Sequence, residues 1–474
     1  MSANSCTRPP SMRRPALALA LVAALLGACS VIPPETAPSA PISDGWKNAT
    51  PEGWVNTAQR APDWDSGQWW TLFGDPVLDG LMAQVEVGNQ NLALAAADVA
   101  QAQALLRQTQ ARLRPTLDGS LDTQRSGRPA HGSASVQLDA SWAPDLWGRI
   151  DAAVRAQGAS VQAREADLAA ARLEAQASLA TAYFSVREND DELRFLDDII
   201  AGYERTLQIT QNRYYAGIAA RTDLLQAQTT LENTRASRAS LQGARERSEQ
   251  AVAVLLGRAP ADFTLPPADW HSVVPQVPLY LPSELLLRRP DIAAAERAVV
   301  AANADIGAAR AAFFPSLDLS ASLGGSAASL ASAPALAWSL GAALAQTIFD
   351  AGSRQAAVDE ARAAHAAASA RYRQAALTAM EEVENQLVTL RTLARQLQHQ
   401  QAAAEAAADA EQRLLNRYKA GMAAYTEVVT AQADSLNARR DVLQLQLQRQ
   451  QGVITLVQAL GGGWQVPWET ESGD

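Results

Sequence analysis

Few side chains in this sequence of 474 residues could do chemistry, and the first of them is a thiol. Cys29 closes Leu26-Gly27-Ala28-Cys29, behind Arg13, Arg14 and the apolar run 16–28. A positive start, about a dozen apolar residues and small residues before a cut describe a secretory signal peptide, too short for the roughly 20 residues of a spanning helix. Leucine at −3, small residues at −2 and −1 and cysteine at +1 look like a bacterial lipobox, whose thiol is a lipid attachment site. Cys6 leaves with the signal, so Cys29 is alone in the mature chain and no internal disulfide can form.

The next candidates are two carboxylates. Asp223 and Glu427 each lie six residues beyond a glycine, Gly217 and Gly421, and each directly follows a threonine, Thr222 and Thr426. A threonine N-cap with an acid in the first turn stabilises a helix start, by roughly 0.5–2 kcal/mol for the cap. Repeated around a symmetry axis, the same acids would also focus a negative potential that attracts cations. Nothing else suggests reactivity. His131, His271, His365 and His399 have no ligand spacing, so no metal is expected, and no nucleophile or carboxylate motif suggests an enzyme or a cofactor. Gly461-Gly462-Gly463 lacks the Lys-Ser/Thr of a phosphate loop and reads as a helix terminator.

The elements that must hold these residues follow from composition and period. There are 50 Asp+Glu against 40 Lys+Arg, a formal net charge of −10, or about −13 once the three arginines of residues 1–28 are gone. Nucleic acid, which needs clustered positive charge, is excluded as a partner. Abundant Ala, Gln, Leu and Arg favour long helices. A Pro/Ser/Ala linker at 33–41 reads as a tether, and Trp46, Trp54, Trp64, Trp69 and Trp70 as packing of a strap onto the body.

An internal repeat of about 200 residues organises the rest. Arg114-Pro115-Thr116-Leu117 recurs as Phe314-Pro315-Ser316-Leu317, and Arg213-Tyr214-Tyr215-Ala216-Gly217 as Arg417-Tyr418-Lys419-Ala420-Gly421. Asp223-Leu224-Leu225 recurs as Glu427-Val428-Val429, and Leu255-Leu256-Gly257 as Ala459-Leu460-Gly461. In each copy the period changes in the same order. Leu117, Gly119, Leu121 and Thr123 alternate with Asp118, Ser120, Asp122 and Gln124, then Val136, Leu138, Ala140 and Trp142 return, which makes a two-stranded hairpin with one apolar and one polar face. The second copy repeats it from Leu317 to Leu323, with a returning strand near Leu336 to Ile348 and less cleanly sorted faces.

Helix follows. No proline occurs at 145–259 or 335–466. Leu193, Leu196, Ile200, Tyr203 and Leu207 step by three and four, as do Met380, Val383, Leu387, Leu390, Ala394 and Leu397. Residues 151–214 would span about 95 Å as helix, too long for a globular domain of this size. An antiparallel coiled-coil hairpin accommodates them, turning at Gly217 in one copy and Gly421 in the other, where glycine supplies a positive φ. Four strands with one apolar face cannot sit in lipid alone, because their edges leave backbone groups unpaired. Closed membrane barrels need at least eight strands, so several chains must share one barrel.

Trp69-Trp70-Thr71-Leu72-Phe73-Gly74-Asp75-Pro76, the run Leu281-Pro282-Ser283-Glu284-Leu285 through Arg289-Pro290-Asp291-Ile292, Phe314-Pro315 and Ala459-Leu460-Gly461-Gly462-Gly463-Trp464 resemble the outer-membrane factor family, in its lipoprotein branch. The resemblance covers essentially everything after Cys29. It implies a mixed α/β membrane protein: a homotrimer with a twelve-stranded transmembrane β-barrel, four strands per chain, continuing into a periplasmic α-helical coiled-coil barrel. It further implies a passive duct for small molecules, working with a periplasmic adaptor and an inner-membrane pump of the RND type. The expected organisation is a signal peptide at 1–28, a lipidated linker and strap at 29–75, repeats at 76–263 and 264–463, and a tail at 464–474. Ser30, where an aspartate would resemble an inner-membrane retention signal, points to outer-membrane lipid around the Cys29 anchor. The helical turns with Arg213, Gly217, Arg417 and Gly421 are the expected adaptor-docking tips. Asp223 and Glu427 are the expected periplasmic aperture. Related channels carry an aspartate ring one helical turn further on, where this chain has Thr430. The competing reading, a periplasmic adaptor or structural coiled-coil lipoprotein, has no use for the repeated amphipathic hairpins.

Overall fold

Asp75 accepts the Val77 and Leu78 N–H groups at 2.9 and 3.2 Å, with Pro76 at the first helical position, and so starts the first helix in the way short polar N-caps do. The structure is a computed structural model that describes residues 33–34, 39–48, 67–127, 131–277, 282–327 and 335–468. Cys29, Trp54 and Trp64 lie outside the described residues.

In chain order the elements are α1 (Pro76–Gly88), α2 (Gln90–Ala111), β1 (Thr116–Ser126), β2 (His131–Trp142), α3 (Arg149–Tyr215), α4 (Arg221–Leu255), a short α5 (Pro282–Leu285), α6 (Pro290–Ala311), β3 (Ser316–Ala327), β4 (Ala335–Ala345), α7 (Ser353–Lys419) and α8 (Tyr425–Ala459). One plan occurs twice. A 22-residue helix, two strands, a 67-residue helix and a 35-residue helix follow one another in both halves. The described residues divide into two compact units, one built on 99–164 and 294–372 and the other on 67–98, 165–293 and 373–468. Each unit draws on both halves of the sequence.

The first unit holds a four-stranded antiparallel sheet in the order β1-β2-β3-β4. The hairpins pair Thr116 with Ser141 and Ser316 with Ala345, and β2 meets β3 with Trp142 opposite Leu319. Pairing sorts the second hairpin better than its sequence does. Leu319, Ala321 and Leu323 fall on the same face as Leu138, Ala140 and Trp142, because directly opposed residues of a pleated sheet share a face. Leu117, Leu121, Val136, Leu336, Trp338, Leu340 and Leu344 on that face are all exposed. The other face carries Asp118, Asp122, Asp139 and Asp318. β4 ends at Ala345, three residues before the expected Ile348. There the chain leaves the sheet for a turn with positive φ at Ala351 and Gly352, whose Asp350 accepts from the Gly352 and Arg354 N–H groups and thereby opens α7. At the base of the sheet, Trp147 stacks on Phe314 at 4.9 Å and donates to the Pro315 carbonyl at 2.7 Å.

The second unit is built on long helices. Leu193, Leu196 and Tyr203 of α3 and Val383, Leu387, Leu390 and Leu397 of α7 are buried, as the stripes require. Trp69 is buried too, donating to Gln176 at 3.2 Å and meeting Phe73 edge to face. The Tyr183 hydroxyl donates to Asp75 at 2.6 Å. The ends of α4 and α8 are handled alike. Asn89 donates to the Leu255 carbonyl at 2.8 Å and Arg289 to the Ala459 carbonyl at 3.0 Å. Gly257 and Gly461 follow at φ 68° and 84°, and a Cβ on either would lie 1.9 Å from the carbonyl oxygen of Gly88 or Arg288. Gly461 is thus both a helix terminator and a close approach of two backbones.

α3 also buries a polar run. Arg187 bridges to Asp190 at 3.0 Å, Arg245 of α4 to the same carboxylate at 2.8 Å, and both arginines donate to carbonyls of the 263–270 segment. Beside them burial, then Glu192, push Glu188 up to about 7, with Arg440 opposing. Among the described residues no helix is long and apolar enough to cross a membrane, and no cluster of His, Cys, Asp and Glu could hold a metal ion.

Candidate functional site

The two helical turns lie in the second unit and are near copies. α3 closes with Gly217 at φ 73°, its N–H donating to the Tyr214 carbonyl and that of Ile218 to the Arg213 carbonyl at 2.9 and 2.8 Å. α7 closes with Gly421 at φ 77°, where Gly421 and Met422 donate to Tyr418 and Arg417 at the same two distances. This is the Schellman pattern, which needs a left-handed residue where the glycine stands. Both glycines do what their spacing predicts.

The arginines differ. The Arg213 guanidinium donates to the Tyr418 and Lys419 carbonyls, at 2.6 and 3.1 Å, and lies 4.6 Å above the Tyr418 ring. A cation thus meets the negative C-terminal end of α7 and an aromatic face together. Arg417 instead donates within its own turn, to the Met422 carbonyl at 3.2 Å, and is exposed. Around Arg213 the hairpins share a small core of Ala227, Tyr418, Tyr425 and Val428, with Leu207, Leu414, Leu415, Ala423 and Val429 against it. Tyr418 and Tyr425 rings sit 5.1 Å apart. Burial first, then Tyr418 and Asp223, raise the Tyr425 phenol far above its ordinary range and keep it neutral.

The acids sit at the helix starts by a different device from the one expected. α4 and α8 begin at Arg221 and Tyr425, behind extended Ala220 and Ala424 that cap with no side chain. Thr222 and Thr426 are therefore inside the first turn and are not N-caps. The chain enters each helix earlier because the Schellman turn uses only a few residues. Asp223 and Glu427 occupy the third helical position, and Glu427 reaches back to accept the Ala424 N–H at 3.2 Å. Glu427 is exposed and Asp223 half-buried. Thr430, one turn on, is exposed and donates to the Thr426 carbonyl at 3.1 Å.

Sequence reasoning missed three apolar residues here. Tyr215, Ile218 and Met422 are 81%, 67% and 65% exposed. Ile218 and Met422 each directly follow a turn glycine, where an apolar side chain ordinarily folds back onto its own helix. The signal was present in the repeated Gly-apolar step.

The comparisons with known proteins agree with this geometry. The outer membrane efflux protein family model matches residues 81–258 and 281–462, once in each half. The chain is 34% identical to the pyoverdine export outer membrane protein OpmQ of Pseudomonas aeruginosa, covering 94% of this chain and 97% of OpmQ. It is 31% identical to the antibiotic efflux pump outer membrane protein ArpC of Pseudomonas putida, covering 96% of each. The solved outer-membrane channel OprN matches with a TM-score of 0.80 at 30% identity, over 92% of this chain and all of OprN. With an exposed apolar sheet face, two long helical hairpins and a twice-matched family model, the chain belongs to the outer membrane efflux protein family and is an outer-membrane channel component of an efflux system.

Proposed function

We propose that three copies of this chain close a twelve-stranded barrel in the outer membrane and continue as a periplasmic helical tunnel, the passive exit duct of a tripartite efflux system. What carries the reading is the doubled hairpin, whose apolar face is exposed and whose outer strands β1 and β4 keep a free edge in the single chain. Unpaired backbone edges are too costly in hydrocarbon, and closure between copies removes them. Energy comes from an inner-membrane pump of the RND type, joined through a periplasmic adaptor. The cargo is small molecules. OpmQ and ArpC carry pyoverdine export and antibiotic efflux in their names, and the pump, not the duct, sets that range.

Cys29 is acylated and anchors the mature N-terminus in outer-membrane lipid, at about 0.8 kcal/mol per buried CH₂. The boundaries 29–75, 76–263, 264–463 and 464–474 divide the mature chain into strap, two repeats and tail. The adaptor docks on the turns at Gly217 and Gly421, with Arg417 exposed to it and Arg213 holding the tip in shape; exposed Ile218 and Met422 supply apolar contact. Asp223, Glu427 and Thr430 line the aperture, the two acids drawing cations. The test is complementation. In a Gram-negative strain lacking its own channel but expressing the cognate pump and adaptor, the chain restores low ethidium accumulation. Unchanged accumulation with the chain correctly in the outer membrane contradicts the reading.

A further inference from the structure

We propose that the barrel closes with β4 of one copy antiparallel to β1 of the next in one register, Leu344 opposite Leu121 and Ala343 opposite Asp122, dictated by the duplication itself. The inference rests on the shared-barrel reading above and adds the residue-level interface between copies.

The pairings inside the chain carry it. β1 and β2 run from Thr116 opposite Ser141 to Ser126 opposite His131. β3 and β4 run from Ser316 opposite Ala345 to Ser326 opposite Ala335. At both ends the first partner has moved 200 positions and the second 204. The two hairpins therefore repeat in register as well as in order. The same two offsets occur outside the strands, where Pro115 before β1 answers to Pro315 before β3, and Gly148 before α3 answers to Gly352 before α7, both glycines at positive φ.

One junction remains inside the chain, β2 against β3, which joins the first hairpin to the second with Asp139 opposite Ser322, Ala140 opposite Ala321 and Leu138 opposite Leu323. In a ring of three copies the other junction, β4 against β1, joins a second hairpin to the next copy's first. It brings together the same two kinds of edge. Moving the β2 partner forward by 204 and the β3 partner back by 200, Asp139–Ser322 becomes Ala343 with Asp122 of the next copy, Ala140–Ala321 becomes Leu344 with Leu121, and Leu138–Leu323 becomes Ala342 with Thr123.

Two physical constraints favour that register over its neighbours. A slip of one residue would turn Asp122 to the apolar side, since successive side chains point to opposite faces. A slip of two keeps the faces, yet makes the stagger at three junctions differ from that at the other three. Closing a barrel links strand tilt to stagger, so unequal staggers would force unequal tilts on hairpins whose own registers are identical. The proposed register meets both conditions, with Leu344 against Leu121 outside and Ala343 against Asp122 inside.

Cysteine pairs test it in the full-length protein. Within one copy Asp122 and Ala343 lie on the first and fourth strands, and the ladder sets Asp122 level with Ala335 and not Ala343, so they are separated by well over the roughly 14 Å of three strand spacings. A disulfide spans about 4.4–6.8 Å between Cα atoms, so a bond between these positions must join two copies. Detergent-solubilised Asp122→Cys/Ala343→Cys, oxidised and run under denaturing, non-reducing conditions, should give covalent trimers at least tenfold above Ser120→Cys/Ala343→Cys and Gln124→Cys/Ala343→Cys. Leu121→Cys/Leu344→Cys should link in the same way, as a second pair should the first fail to assemble. Preferential linking through a slipped pair, or trimeric particles in which neither in-register pair links, overturns the register. A monomeric native mass for the unaltered protein overturns the shared barrel itself.

Discussion

Arg213 and Arg417 occupy the same position of a repeated motif and do different work. Arg213 satisfies two carbonyls at the end of α7 and covers Tyr418; Arg417 stays in its own turn. Arg213→Met should therefore speed amide exchange across residues 414–422 markedly, losing charge-assisted hydrogen bonds worth about 1.5–3 kcal/mol each and a cation–π contact. Arg417→Met should change it little, and equal effects would contradict the asymmetry. Gly421→Val is the complementary case, since a β-branched residue at φ 77° is strained by roughly 1–2 kcal/mol. The altered chain should still assemble and insert but lose most efflux, read as ethidium accumulation beside native mass. Failure to assemble would mean that the turn serves packing and not docking. The glycines were legible in the sequence because only a positive φ explains them. The partner of Arg213 was not, being 205 positions away, and the threonines were misplaced because cap position depends on how many residues a turn consumes.

The helices were the most legible elements, because 67 residues without proline and with three-four apolar spacing admit little else. What the pattern could not reveal is the buried polar run of α3, since such residues read as a solvated face until their partners are known. Its energetics are testable through Glu188, a carboxyl pushed up to about 7 from an ordinary 4.5 by burial and then by Glu192. An acid with a raised folded value binds its proton more tightly when folded, so it destabilises the fold as pH rises from about 4.5 to 7 and costs its full amount above that. Glu188→Gln removes a penalty of up to about 3 kcal/mol there and almost nothing at pH 4.5. Melting of the variant should exceed that of the unaltered protein at pH 8 and match it at pH 4.5. A gain equal at both pH values would assign the effect to packing.

At the scale of the whole molecule, the duplication was legible because its offsets persist across unrelated elements, and the barrel because an amphipathic sheet with free edges has so few stable homes in lipid. The number of copies was not legible from the residues alone; it came with the family resemblance. Three-fold symmetry would set three copies of Asp223 and three of Glu427 around one axis, where narrow walls focus their field. Asp223→Asn with Glu427→Gln should accordingly lower the cation-to-anion permeability ratio several-fold in normal trimers, and an unchanged ratio would leave both as helix-start residues. Passive conduction is the central claim, and planar-bilayer recording of the purified, unaltered protein, with no pump, adaptor or nucleotide present, tests it most directly. Discrete, repeatable unitary current steps are the predicted result; a baseline trace from membranes in which inserted trimers are verified would contradict it.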